Sequence, residues 1–457
     1  MNLSFLSRKS QGQKCGIPFA IFVIVLVMHL FDQNSPKNRQ GIHSYPEEHP
    51  LLTAIALALG AAITLGISRF AYALFLPLMR SDLHWSYLTA GNMNTGNAIG
   101  YFIGAMSSAW AFSKVGLRRP FIVMLFFSIV VMFLTGFVEN AIVIFIFRFL
   151  LGFCSGYIFI AGGVLATQLS SQHPHQSGLI LGIYYGGVGG GILLSSLLVN
   201  PFHDWAQSQG YVHPWQIAWI GMAVISLILF TLLIKPVIAM LEAPEVSVLS
   251  KEQIHPRRSF WIGSGYFLYG IGHVGYMTFV IAMLREMGFT GSLINMFYGL
   301  IGLSMMLSSR IWAKMLERSR GGEAMGLVNL ILTIACFIPT IMAFLEKNII
   351  ESVAPSFWSL ILVMSSSMLF GSSFVVAVAS TTAFVKHNYP RNQWSIGIRF
   401  FTILFATGQI IGPFLIGFIA DHLGGLRVGL LVSTIILLTA SLLAYRQKSF
   451  ASKKSMG

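Results

Sequence analysis

The sequence predicts an all-α membrane protein with twelve transmembrane helices in two six-helix repeats, preceded by an N-terminal hydrophobic extension. Three observations carry that fold class. The composition is 55% hydrophobic and 10% charged over 457 residues, with a mean hydropathy of +0.74, whereas a soluble domain carries about 25% charge. Twelve long apolar stretches contain no Asp or Glu. Finally, the first and second halves of the chain resemble each other at a constant offset.

A helix crosses about 30 Å of hydrocarbon with about 20 apolar residues, and only a helix satisfies its own backbone there within one segment. On that criterion the spans run over residues 52–79, 87–112, 120–138, 140–170, 177–200, 214–234, 259–284, 291–312, 324–345, 356–385, 393–418 and 425–445. The long polar connection at 235–258, holding Pro236, Pro244 and Pro256, separates six spans from six. The expected organisation is an extension over 1–51, an N-terminal half over 52–234, a linker over 235–258, a C-terminal half over 259–445 and a tail over 446–457. Within the extension, residues 16–31 (GIPFAIFVIVLVMHLF) follow Arg8, Lys9 and Lys14, as the apolar core of a signal peptide would. Two readings stand, an interfacial or dispensable extension and a true anchor or upstream start.

Lysine and arginine fix the orientation. Most of the 29 fall in segments that share one side when both ends of the twelve-helix core are cytoplasmic, and the opposite side keeps only Arg80, Arg285, Lys347 and Arg427. This distribution also accounts for the net charge of +14. Nucleic acid is not expected as a partner, because the basic residues are spread over short loops rather than gathered on one face. The expected location is an inner (plasma) membrane of bacterial type.

The halves repeat in detail. GISRFAY at 66–72 aligns with GIGHVGY at 270–276, so that Gly66 meets Gly270, Arg69 meets His273 and Tyr72 meets Tyr276. Two six-helix units repeated in parallel place a transporter's site near the midplane between them.

The unusual residues lie in these spans. A charge at the bilayer centre costs about 3 kcal/mol on insertion scales, so it normally faces a watery, protein-lined interior. Arg69 lies about 17 residues into its span, about 25 Å at 1.5 Å per residue, and Tyr72 shares its helix face. A planar guanidinium forks onto carboxylate or phosphate, so this pair points to an anionic or carbonyl-rich ligand. Arg148 sits near one third of its span, within reach of snorkelling. Arg399 lies only a few residues into the eleventh span, which suits a headgroup-facing or gating role. His273, near the centre of the seventh span, titrates near neutrality when unperturbed. It is read either as a packing residue or as one that binds substrate or carries a coupling proton.

At the level of motifs the chain resembles the major facilitator superfamily, and its YbfB/YjiJ-like branch in particular, over about residues 52–445. The strings that carry the resemblance are GISRFAYALFLPLM, NAIGYFIGA and RFFTILFATGQIIGPFLIG. The resemblance implies that the first, fourth, seventh and tenth helices line a central cavity. That would gather Arg69, Arg148, His273, Ser372, Ser373, Ser380 and Thr381, with Tyr276 as the counterpart of Tyr72. Arg148 to Gly152 is similar to the RxxxG signature of the fourth helix. The loop signature GxLaDRxGRR appears as AWAFSKVGLRRP, with Ser113 in place of aspartate and Arg118 among its basic residues, while Glu317-Arg318 takes the equivalent place in the second half. GIYYGGVGGG lacks the proline of the exporter signature, and Gly412-Pro413 lies in the eleventh span instead. The direction of transport is therefore open.

Other chemistries find little support. Gly186 to Gly191 do not spell GxGxxG and follow no strand. Gly152-Phe153-Cys154-Ser155-Gly156 mimics a nucleophile elbow without the strand or the acid it needs. His173 and His175 flank Pro174 with no further ligands, and Cys15, Cys154 and Cys336 form neither a CxxC nor a disulfide framework. The expectation is a secondary active transporter, not an enzyme, monomeric and without cofactor or metal. It would move a small solute, an organic anion first, with a coupling ion or proton as its further partner. A membrane sensor of transporter-like build, or a carrier of neutral sugars or aromatic metabolites, remains the alternative. Arg69, Tyr72, Arg148, His273, Tyr276, Ser380 and Thr381 are the expected substrate contacts. His273, Arg399, Glu317 and Arg118 are the expected coupling or gating residues.

Overall fold

The computed structural model describes residues 45–240, 256–345, 357–390 and 393–450. The expectations for segment 16–31, for most of the linker and for residues 451–457 lie outside the described residues. Among the described residues twelve long helices form the core: α1 Pro50–Asp82, α2 Tyr87–Val115, α3 Arg118–Thr135, α4 Ala141–Gln172, α5 Ser177–Ser208, α6 Pro214–Ala239, α7 Phe260–Glu286, α8 Gly291–Arg318, α9 Glu323–Leu345, α10 Phe357–Asn388, α11 Trp394–His422 and α12 Leu426–Tyr445. Their starts fall within two residues of the expected spans. Several ends run on, α5 to Ser208 and α8 to Arg318, because a helix continues past the point where its side chains turn polar.

Eleven of the twelve are long and apolar enough to cross a bilayer, and α2 is the exception. Expecting twelve apolar spans thus overstated the apolarity of α2. Asn92, Asn94, Thr95 and Asn97 lower it, while its glycines let it lie tightly between α4 and α11. A Cβ at Gly100 would stand 1.9 Å from the Phe149 carbonyl, and one at Gly91 would stand 2.5 Å from the Pro413 carbonyl.

Packing repeats as faithfully as the sequence. In the first bundle α2 packs on α4, α3 on α4 and α6, and α5 on α1 and α6; adding six to every number reproduces the second bundle. The same holds at residue level. Gly66 of α1 lies against Gly191 of α5, and Gly270 of α7 lies against Gly408 of α11. Between bundles, α2 packs on α11 and α8 on α5, a pair that exchanges under the same operation, and α1 meets α7 on itself. The arrangement is a pseudo-twofold about an axis along the helices.

The bundles are joined mainly toward one end. There Asp421, at the end of α11, accepts the Tyr87 and Leu88 amides at 2.9 and 2.8 Å, and the Tyr87 hydroxyl donates to Glu286 of α7. Arg285 donates to Asn200 at 3.1 Å, and Asn200 donates on to Asn295 at 2.5 Å. The helix N-terminus of α2, with its free amides, favours a carboxylate at that point. Toward the other end Arg118 donates to the Ile238 and Met240 carbonyls at the end of α6, and Asn388 of α10 donates to the Arg320 carbonyl, each within its own bundle. Only the second part of α1, Tyr72–Asp82, packs extensively on α7, and neither α4 nor α10 packs extensively on the opposite bundle. We call these the closed and the open end.

Candidate functional site

The site begins with a local departure from α-helical geometry. Residues Ala62–Phe70 of α1 form a π-helix, closed by the Ala71 amide on the Gly66 carbonyl at 3.0 Å. Such wide turns leave carbonyls poorly served and mark functional positions in many helices, and in a bilayer each must find a protein donor. They do. Arg148 Nη1 donates to the Ser68 carbonyl at 2.6 Å and Nη2 to the Arg69 carbonyl at 3.3 Å; the Tyr298 hydroxyl donates to the Phe70 carbonyl at 2.6 Å, and Ser155 Oγ lies 3.1 Å from the Thr64 carbonyl. The RxxxG segment of α4 therefore serves the backbone of α1. Its glycine serves the other neighbour, since a Cβ at Gly152 would stand 1.9 Å from the Asn97 carbonyl of α2.

Arg148 is fully buried, and its guanidinium lies 4.4 Å over the Tyr72 ring, whose hydroxyl donates to the Ala90 carbonyl at 2.9 Å. The same guanidinium donates to Asn94 Oδ1 at 3.0 Å, while Asn94 Nδ2 donates to Thr278 of α7 at 2.7 Å and Asn97 donates to the Arg148 carbonyl at 2.9 Å. Asn94 and Asn97 of α2 thus supply hydrogen bonds between helices. Arg148 does not snorkel: it points inward, into the backbone of α1.

Arg69 is 4% exposed. Its Nη2 donates to Gln409 Oε1 of α11 at 3.0 Å, across the bundles, and its guanidinium lies 4.8 Å from the Tyr101 ring centre and 5.7 Å from that of Phe70. Its described hydrogen-bond partner is thus a neutral amide. The ion pairs among the described residues involve Asp82, Glu139 and Asp204 at the closed end, so two guanidiniums share the middle of the molecule with no carboxylate beside them.

His273 lies two rings away: Phe70 meets Phe374 edge to face at 5.4 Å, and Phe374 lies 5.2 Å from the imidazole. Its Nδ1 is 2.5 Å from the Tyr269 carbonyl, Nε2 is buried without a partner among the described residues, and the ring stacks on Tyr269 at 4.2 Å and on Phe405 at 5.5 Å. Tyr266 extends the stack, 4.9 Å from Phe405. Of the other expected residues, Tyr276 packs on Phe370 at 5.1 Å with its hydroxyl near Ser366. Ser380 and Thr381 bond back to the Ala377 and Val378 carbonyls, and Thr381 also reaches Tyr266. Arg399 and Glu317 are exposed near the open end, and Arg118 holds the end of α6. The structure therefore brings Arg69, Tyr72 and Arg148 together, sets His273 beyond Phe70 and Phe374 from them, places Tyr276, Ser380 and Thr381 on the surrounding helices, and leaves Arg399, Glu317 and Arg118 apart.

Gln409, Tyr101, Phe374 and the pair Asp421 and Glu286 escaped the sequence reading. Gln409 had a signal, a lone amide in the middle of an apolar span. The two carboxylates had none, because they lie past the span ends. The decoys resolve simply: Ser155 sits inside a continuous helix, Cys154 is a buried free thiol, and α5 uses Gly187 and Gly191 against α1 and Gly186 and Gly189 against α8. No cluster able to hold a metal ion occurs among the described residues.

Residues 61–445 match the family described as "Uncharacterised MFS-type transporter YbfB". The chain belongs to that family of the major facilitator superfamily. It is accordingly a multi-pass membrane protein of a transporter family. No curated protein matches it. Among solved structures it is similar to tetrameric PepTSo2, with 14% identity, a TM-score of 0.64, and coverage of 87% of this chain and 96% of that one. It is also similar to the nucleoside transporter NupG, with 13% identity, a TM-score of 0.61, and coverage of 86% and 100%. A third is a bacterial homologue of the human lysosomal transporter Spinster, inward-facing and occupied, with 13% identity, a TM-score of 0.61, and coverage of 88% and 96%. At such identities the likeness is one of fold.

Proposed function

We propose that this family member is a secondary active transporter that moves a small organic anion by alternating access between its two bundles. The observation that carries the reading is Arg69, a buried guanidinium at mid-helix whose described hydrogen-bond partner is the Gln409 amide. A buried charge without a counter-charge is costly, and a carboxylate supplied by the solute removes that cost by forking onto the guanidinium. Gln409 acts as a placeholder that the solute displaces. Because Arg69 stands on α1 and Gln409 on α11, displacement also loosens a link between bundles. Arg148 and Tyr72 hold the π-helical segment that presents Arg69. Tyr276, Ser380 and Thr381 belong to the surrounding wall. His273 contacts the solute or carries the coupling proton, and Arg118, Glu317 and Arg399 tune the open end.

In this reading the open end faces the cytoplasm, as the basic loops require, and the membrane is a bacterial inner membrane. Purified protein in liposomes tests it. Arg69→Ala abolishes uptake of the anion identified by thermal-shift screening while membrane insertion stays intact; wild-type flux in that variant refutes the assignment. The aromatic shelf of Tyr266, Tyr269, Phe374 and Phe405 favours a second reading, a carrier of neutral aromatic metabolites, in which flux is indifferent to the solute's charge. A sensor would bind and show no flux under any gradient.

A further inference from the structure

The anion reading leaves one buried group unexplained. His273 is fully buried, and its Nε2 has no partner among the described residues, although buried polar atoms are nearly always hydrogen-bonded. Its other nitrogen settles what Nε2 offers. A backbone carbonyl can only accept, so Nδ1 at 2.5 Å from the Tyr269 carbonyl carries the proton, and in the neutral imidazole Nε2 is left as a lone-pair acceptor. Turning the ring to relieve this would break the Nδ1 hydrogen bond and disturb its stacking on Tyr269 and Phe405. The atom waits for a donor.

Its surroundings say where that donor comes from. The Arg69 guanidinium lies beside Phe70, Phe70 touches Phe374, and Phe374 touches His273. The two polar ends thus flank a pair of aromatic rings. Arg69 offers only donors and Nε2 only an acceptor. A solute that satisfies both is an acceptor at one end and a donor at the other, with a flat apolar body between.

We propose that the solute is a small hydroxylated carboxylic acid with a planar or aromatic body, its carboxylate on Arg69 and its hydroxyl donating to His273 Nε2. The proposal rests on the anion reading above and adds the second recognition point. It makes His273 a specificity-determining residue: a site built to hydrogen-bond a hydroxyl rejects the analogue that lacks it much more strongly than an apolar pocket discriminates by size.

Three probes separate the possibilities: benzoate, 4-hydroxybenzoate and 4-methoxybenzoate, titrated into the purified full-length protein by calorimetry. The methoxy compound keeps the oxygen and loses the donor. Wild-type protein binds 4-hydroxybenzoate about tenfold or more tightly than either analogue, a difference of about 1.4 kcal/mol. His273→Ala brings the three within about twofold of one another while still binding benzoate, and Arg69→Ala binds none. Because each variant is read as a ratio between ligands, partial loss of folded protein does not mimic the result. Equal wild-type affinities, or an unchanged ratio in His273→Ala, overturn the inference. So does a preference for 4-methoxybenzoate equal to that for 4-hydroxybenzoate, which would make His273 a donor. Wild-type protein that binds none of the three also overturns it. The wider anion reading stands or falls separately, on whether the metabolite screen yields any ligand whose binding is lost in Arg69→Ala.

Discussion

Arg69 and Arg148 have the same side chain and opposite tasks. Arg148 spends its donors on the Ser68 and Arg69 carbonyls and on Asn94, so its removal orphans backbone acceptors inside a helix. Leaving buried acceptors unsatisfied costs roughly 1–3 kcal/mol each, and Arg148→Ala is expected to lower the melting temperature of the purified protein. Arg148→Lys does not rescue it, because one ammonium lacks the planar fork that reaches α1 and α2 together. Arg69 by contrast is held by one neutral oxygen. Gln409→Glu places a permanent carboxylate there, and the prediction is loss of anion binding with Arg69 still present, read by calorimetry alongside Gln409→Ala, which keeps it. Binding by Gln409→Glu at wild-type affinity would show that the guanidinium is not the contact. The two roles could not be told apart in the sequence, where both residues are simply arginines in apolar runs. The partner of Arg69 is 340 positions away, and no local pattern announces it.

At the scale of elements, the glycines of α5 decide how closely α1 approaches. A Cβ at Gly191 would stand 2.3 Å from the Ala62 carbonyl and 2.8 Å from Gly66 Cα, while one at Gly190, the next residue, meets nothing within 4 Å. Gly191→Ala must push α1 away at its π-helical segment and so disturb Arg69, whereas Gly190→Ala is silent. Thermal shift and anion affinity on the two variants check this, and equal behaviour would mean that α5 does not set the position of α1. The repeat at offset 204 made Gly66, Arg69, Gly270 and His273 visible as equivalents, and the glycine pairs Gly66 with Gly191 and Gly270 with Gly408 give that equivalence its packing reason. The π-helix itself was not legible. Nothing in AITLGISRF forbids an ordinary helix; the extra residue per turn is stabilised by donors from α4 and α8, which only the folded bundle supplies.

At the scale of the whole molecule, the carboxylates missing from the spans reappear where the bundles meet. Asp421 caps α2 from the opposite bundle, Glu286 takes the Tyr87 hydroxyl, and Arg80 lies 3.7 Å over the Tyr87 ring. Among the described residues these contacts join α1, α2, α7 and α11 at one end, and in the proposed alternating-access cycle they are the gate that opens when the bundles rock. Closure there is a sum of modest terms, each interhelical hydrogen bond in a membrane being worth about 0.6 kcal/mol on average. A covalent clamp should therefore arrest the cycle where weakening a single bond would not. A Cβ at Gly417 would stand 2.7 Å from the Tyr87 carbonyl and 3.0 Å from Leu88 Cα, so α11 must ease off α2 to admit a cysteine there. The two backbones still run close enough for a disulfide, and the reduced double variant is the reference for flux. In the Leu88→Cys, Gly417→Cys variant, oxidation is expected to abolish flux in liposomes while leaving anion binding from the open end intact, and reduction to restore flux. Undiminished flux through the oxidised protein would place the moving contact elsewhere. Loss of binding together with flux would mean that the Arg69 site is reached from the closed end, reversing the access route drawn from the contacts between α1, α2, α7 and α11.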